Sequence, residues 1–160
     1  MSTETTTPRG AAGAITPTLL PALKNVPLFA GLTPQQLRRV AEVSRLKRFA
    51  AGATVVHLGA VGDTFYVILD GRALVVRETG RPLKLARGDF FGELALIEDA
   101  PRSADVIAVD DILALTIGRV AFTKLLRSEA ALTHAILRTV VRRLRSDQRT
   151  PRWQLNNLDG

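Results

Sequence analysis

Glycine spacing constrains this chain more than any other feature. Between Lys47 and Ile117 the sequence is cut at Gly52, Gly59, Gly62, Gly71, Gly80, Gly88 and Gly92. Between and after these cuts lie short β-rich runs: Thr54–Leu58, Thr64–Leu69, Ala73–Arg77, Leu83–Leu85, Ala104–Val109 and Ile112–Ile117. Short strands with turn residues between them predict an antiparallel barrel or jelly roll. Aromatics make up only 5% of the chain, so its core must be built from Leu, Val, Ile and Ala.

Helical patterning flanks this region. Leu19–Leu32 is apolar but broken by Pro21 and Pro27, which reads as a helical turn and a loop. Thr33-Pro34-Gln35-Gln36 is a helix start: Thr33 caps, Pro34 suits the first helical position, and Gln36 closes a capping box. The helix is expected to run to about Leu46, with Leu37, Val40 and Ala41 buried. After Gly118 the helical period returns over Val120–Leu126 and Glu129–Arg149. The apolar stripe of the second stretch (Leu132, Ile136, Leu137, Val140, Val141, Leu144) is suited to pack on the barrel or on a partner helix, including that of a second copy. The expected architecture is therefore an eight-stranded jelly roll with a helical shoulder before it and lid helices after it. Residues 18–149 form the domain; 1–17 are a disordered N-terminal tail and 150–160 a C-terminal tail.

Composition removes several classes. The 160 residues include no cysteine, so disulfides and thiolate metal sites are excluded. Nothing reads as a secretory signal or a membrane span, and a cytoplasmic protein is the expectation. His57 and His134 are far apart and have no ligand-like neighbours, so neither metal catalysis nor a Ser-His-Asp arrangement is expected. The net charge of +7 is carried by the segment from Arg119 to Arg152, which has nine basic and two acidic residues. Arg138, Arg142, Arg145 and Arg149 form one stripe at helical spacing. The stripe reads as a solvated face or as a docking surface for an acidic partner.

One segment carries chemistry. Gly92 permits a tight turn and a close backbone approach. A helical turn from Glu93 to Ile97 would present its first N–H groups together as an anion seat. Arg102 adds a planar cationic fork suited to two phosphate oxygens, and Ser103 adds a hydroxyl. Glu93 is suited to accept a hydrogen bond from a sugar hydroxyl. Together these are the parts that hold a nucleotide monophosphate.

The run Phe91-Gly92-Glu93-Leu94-Ala95-Leu96, four residues, then Pro101-Arg102-Ser103-Ala104-Asp105-Val106, resembles the phosphate-binding cassette of the cyclic nucleotide-binding domain family without a gap. Gly59, Gly62-Asp63, Phe65-Tyr66-Val67-Ile68 and Asp70-Gly71 are similar to that family's turn-strand-turn pattern upstream. The resemblance implies that Arg102 pairs with the cyclic phosphate and that Glu93 accepts from the ribose 2′-hydroxyl. It implies backbone contacts from Gly92, Leu94 and Ala95, with Ser103 and Ala104 completing the cassette. Ser103 leans towards cyclic AMP, with cyclic GMP as the second choice. Arg143 resembles a purine-contacting arginine of some bacterial channel domains. Asp105 departs from the usual threonine or serine, and Glu98 and Asp99 add acid near an anion site. Strand alternation puts Asp105 on the face opposite Ala104.

The resemblance implies a regulatory protein rather than an enzyme: a stand-alone sensor that moves its lid helix and signals to a protein partner. A degenerate domain acting only as an interaction module is the alternative. A transcription factor would need a helix-turn-helix after the lid helix, and about eleven residues follow Arg149, so no DNA-binding domain is expected. Trp153 could cap a base, but a loosely packed tail residue is the plainer reading.

Overall fold

The structure is a computed structural model in which residues 5–6 and 19–147 are described. The expected tails, Arg149 and Trp153 otherwise lie outside the described residues. Residues 19–24 are helical (α1) and lead into a 3-10 turn, Pro27–Phe29. Helix α2, Pro34–Val43, starts at the capping box read from the sequence. Thr33 Oγ1 accepts from the Gln36 N–H, and Gln36 Oε1 accepts from the Thr33 N–H.

Two antiparallel sheets follow. The first has the strand order β1-β2-β9-β4-β7 and the second β3-β8-β5-β6. Their ranges are β1 Thr5–Thr6, β2 Ser44–Phe49, β3 Thr54–Val56, β4 Thr64–Asp70, β5 Ala73–Val76, β6 Leu83–Leu85, β7 Phe90–Phe91, β8 Asp105–Ala108 and β9 Ile112–Gly118. Apart from the two-residue β1 at one edge, these are the two four-stranded sheets of the expected jelly roll. Helix α3, Glu93–Glu98, interrupts the strands, and α4, Arg119–Ser128, and α5, Ala130–Asp147, close the chain.

Two expectations need correction. Helix α2 ends at Val43 rather than near Leu46, because Ser44 leaves helical geometry and begins β2. The strand wins because six residues of β2 pair with β9 from Ser44↔Ile117 to Phe49↔Ile112, a nonlocal partnership that local periodicity does not show. The stripe on α5 is split. Leu132 and Ile136 are buried and Val140 packs against the core, but Leu137, Val141 and Leu144 are exposed.

The core is in two parts. Between the helices and the first sheet lie Leu23, Phe29, Val40, Phe65, Leu115, Phe122 and Leu132, with Phe65 stacked on Phe122 at 4.6 Å between ring centroids. Between the sheets lie Val56, Ile68, Leu85, Phe91, Val106 and Ala114. Each fully buried side chain of this kind contributes about 1.5–3 kcal/mol. Phe90 and Phe91 point to opposite faces of β7 and serve one core each. This alternation fixes the short strand just before α3.

Candidate functional site

The segment between β7 and β8 is built around two left-handed residues. Gly92 has φ 89° and Asp99 has φ 53°, and they bracket α3. Gly92 is required on two counts. A side chain is strained at this φ, and a Cβ would lie 2.8 Å from the Thr64 carbonyl oxygen and 2.9 Å from Arg102 Nη1. The N-cap residue of α3, Gly92, has no side chain with which to cap the first turn.

Arg102 is 7% exposed, deep for an arginine. Two carbonyls aim its fork: Nη1 donates to Gly92 O and Nη2 to Thr64 O, both at 2.8 Å. The Tyr66 ring lies beneath, 5.9 Å from the guanidinium carbon. Gly62 backs the guanidinium so closely that a Cβ there would sit 2.5 Å from Nε. Burial pulls the Arg102 pKa below its ordinary value, while Tyr66, Asp63 and Glu93 oppose that shift. An arginine remains cationic through it. Two of its five N–H groups are committed to carbonyls, which leaves three for a ligand.

Glu93 is 4% exposed. Desolvation pushes its pKa above the ordinary glutamate value, with Arg143 as the main opposing influence. Arg143 reaches across from α5, 50 residues later. Its Nη1 lies 3.5 Å from Glu93 Oε1, its Nη2 donates to Phe90 O at 2.7 Å, and its guanidinium rides over the Phe90 ring at 4.7 Å.

These groups share a cavity of about 300 Å³. Gly92, Glu93, Leu94, Ala95, Arg102, Ser103, Ala104 and Arg143, all singled out in the sequence, line it. So do residues that sequence reasoning missed. Val56, Val75, Leu83 and Val106 form an apolar wall, and Val140 and Leu144 of α5 overhang it. Strand alternation could have named the inward positions, but not which of them face an opening. The lining therefore combines cationic and donor groups, Arg77, Arg102, Ser103 and Arg143, with a carbon surface that a flat base could cover.

The three unusual acids fare differently. Asp105 is turned aside: its Oδ1 accepts from the Leu58 N–H at 2.7 Å, and it does not line the cavity. Asp99 pairs with Arg119 at 3.2 Å. Only Glu98 lines the cavity. Among the described residues no cluster of His, Asp and Glu could hold a metal ion, and no helix is long and apolar enough to cross a membrane.

Residues 46–129 match the family model of the cyclic nucleotide-binding domain. Among curated proteins, the cAMP-dependent protein kinase regulatory subunit of Hypocrea atroviridis is 39% identical over 104 residues, which are 65% of this chain and 22% of that protein. The chain thus corresponds to about a fifth of that relative's length. Among solved structures, the regulatory domain of Toxoplasma gondii PKA crystallised with cAMP is 30% identical with a TM-score of 0.72, covering 81% of this chain and 51% of that one. A second PKAR cyclic nucleotide domain, bound to Sp-2Cl-cAMPS, is 25% identical with a TM-score of 0.73, covering 86% and 94%.

Proposed function

The chain belongs to the cyclic nucleotide-binding domain family, and from that premise we propose that it is a regulatory protein that binds cyclic AMP in the cavity beside α3. One observation carries the reading. Arg102 is buried, held by two backbone carbonyls and turned into a cavity that Glu93 also lines. A guanidinium fixed in this way has already met its ordering cost before a phosphate arrives. A volume of about 300 Å³ is at the small end of ligand pockets, which span roughly 300–1,000 Å³.

Each part has a role in this reading. Arg102 pairs with the cyclic phosphate, and the leading N–H groups of α3, with Ser103, supply further donors. Ionised Glu93 accepts from the ribose 2′-hydroxyl. Gly92, Leu94, Ala95 and Ala104 shape the backbone around the sugar. The purine lies against Val56, Val75 and Val106, under Val140, Leu144 and Arg143. Among the described residues that line the cavity, none is arranged as a nucleophile with its base, which supports the reading of binding rather than turnover.

Arg143 couples the ligand to the lid. It contacts Glu93, which the sugar engages, and it is carried on α5. Occupancy therefore biases the position of α5, by no more than the difference in ligand affinity between the two arrangements. A protein partner reads that position.

Titration calorimetry with cyclic AMP and cyclic GMP tests the proposal. The expected result is saturable binding, tighter for cyclic AMP. Arg102→Ala should weaken it by about a hundredfold or more, since charged hydrogen bonds are worth ~1.5–3 kcal/mol each. No heat with either nucleotide up to millimolar concentration would leave an interaction module that needs no nucleotide.

A further inference from the structure

A larger opening lies on the other side of Arg143. It has a volume of about 500 Å³ and runs between α5, the 3-10 turn at Pro27–Phe29 and the β6–β7 connection. Its walls are cationic. Lys84 and Arg87 stand on one side, and Arg138, Arg142 and Arg143 on the other. Its floor is carbon, from Pro27, Leu28, Leu85 and Phe90.

Of these five cations only Arg143 has an ion-pair partner among the described residues, Glu93, which lines the nucleotide cavity instead. The single carboxylate in the lining, Asp89, has its Oδ2 on the Ala86 N–H at 2.8 Å. Lys84, Arg87 and Arg138 have no ion-pair partner among the described residues, and Arg142 makes one hydrogen bond, to Thr139 Oγ1 at 3.2 Å. Arg138 and Arg142 also repel each other one helical turn apart, a cost that isolated like-charged pairs carry on a helix surface. Four like charges without an ion-pair partner around one opening, Lys84, Arg87, Arg138 and Arg142, need a counter-charge to settle them.

We infer that this groove is a docking channel for an acidic, partly apolar peptide segment of a partner protein. The spacing fits such a segment. Arg138 and Arg142 are about 6 Å apart along α5, from a rise of ~1.5 Å per residue. Alternate side chains of an extended peptide point the same way at about 6.6 Å. Carboxylates at alternate positions therefore meet successive arginines, while the carbon atoms of the segment lie over the apolar floor of Pro27 and Leu85. Single-stranded nucleic acid fits less well, because it depends on exposed aromatic faces for stacking. The groove's aromatic, Phe90, is 2% exposed and Arg143 covers its face. The inference goes beyond nucleotide binding and does not depend on it, since Lys84, Arg87, Arg138 and Arg142 do not line the nucleotide cavity.

The test is selection of a phage library of random peptides on the full chain, followed by anisotropy titration of the recovered peptides. Enrichment of peptides with Asp or Glu at alternate positions is expected. Their affinity should fall at least tenfold for the double variant Arg138→Glu, Arg142→Glu, whose melting temperature and cyclic AMP heat should match the wild type. Recovery without an acidic excess, or peptides that bind the double variant equally well, would overturn the inference. So would a single-stranded oligonucleotide that binds through the same two arginines more tightly than the best peptide.

Discussion

Gly62→Ala is the most discriminating perturbation of the nucleotide cavity, because it reaches Arg102 from a position that does not itself line the cavity. Gly62 does not need a left-handed backbone, so alanine adds only a methyl group. That methyl would lie 2.5 Å from Arg102 Nε, 2.6 Å from Cζ and 2.9 Å from the Ala95 Cβ. The Ala95 methyl is fixed to α3, so the guanidinium must yield by about 1 Å to reach ordinary carbon contacts of ~3.5–4.0 Å. Both its hydrogen bonds are 2.8 Å long, and a shift of that size breaks at least one of them. At ~1.5–3 kcal/mol for a bond to a charged group, cyclic AMP affinity should fall roughly ten- to a hundredfold. Calorimetry on the wild type, Gly62→Ala, Arg102→Ala and the double variant closes a cycle. If Gly62 acts through Arg102, adding Gly62→Ala to Arg102→Ala costs little further affinity. The reasoning is refuted if Gly62→Ala binds as the wild type does, or if the two losses simply add.

Three further outcomes are expected. Cyclic AMP affinity should decline as pH falls through the Glu93 pKa, because protonation removes the charge that makes Glu93 a strong acceptor for the ribose hydroxyl. Burial raises that pKa, so the decline begins above the ordinary glutamate range, and calorimetry across pH 4–7 should find Glu93→Gln weaker but flat. Asp105→Ala removes the acceptor for the Leu58 N–H and should cost about 1 kcal/mol in denaturant unfolding while changing nucleotide affinity less than about twofold; a tenfold gain in affinity would mean that the carboxylate repels the phosphate after all. Thr33→Ala breaks the capping box of α2 and should lower stability by ~1 kcal/mol with no effect on nucleotide heat.

What could be read from the chain follows from what is contiguous. The cassette from Phe91 to Val106 was legible because Gly92, Glu93 and Arg102 lie within a dozen residues, and their chemistry needs that spacing. Thr33 and Gln36 were legible for the same reason. Strand β2 was not. Its sequence, Ser-Arg-Leu-Lys-Arg-Phe, follows a helical stripe directly, and only the distant β9 makes it a strand. The apolar wall escaped because Val56, Val75, Leu83 and Val106 come from four different strands. Alternation marks their inward side but cannot say where the packing stops and an opening begins. Arg143 could be placed at the cavity only through family resemblance, and its contacts with Glu93 and Phe90 are purely tertiary.

The cavity takes its lining from β3, β5, β6, β7, α3, β8 and α5, seven elements scattered along the chain from Val56 to Leu144. No fragment contains it, so its occupant recognises only the finished molecule. A guest that binds one state alone adds RT ln(1 + [L]/Kd) to that state, about 2.7 kcal/mol at a hundredfold excess over Kd. For a domain of marginal stability this is a large share of the whole. The nucleotide would then act as a clasp on the barrel as well as a message, and the lifetime of the protein against proteases would rise and fall with its supply.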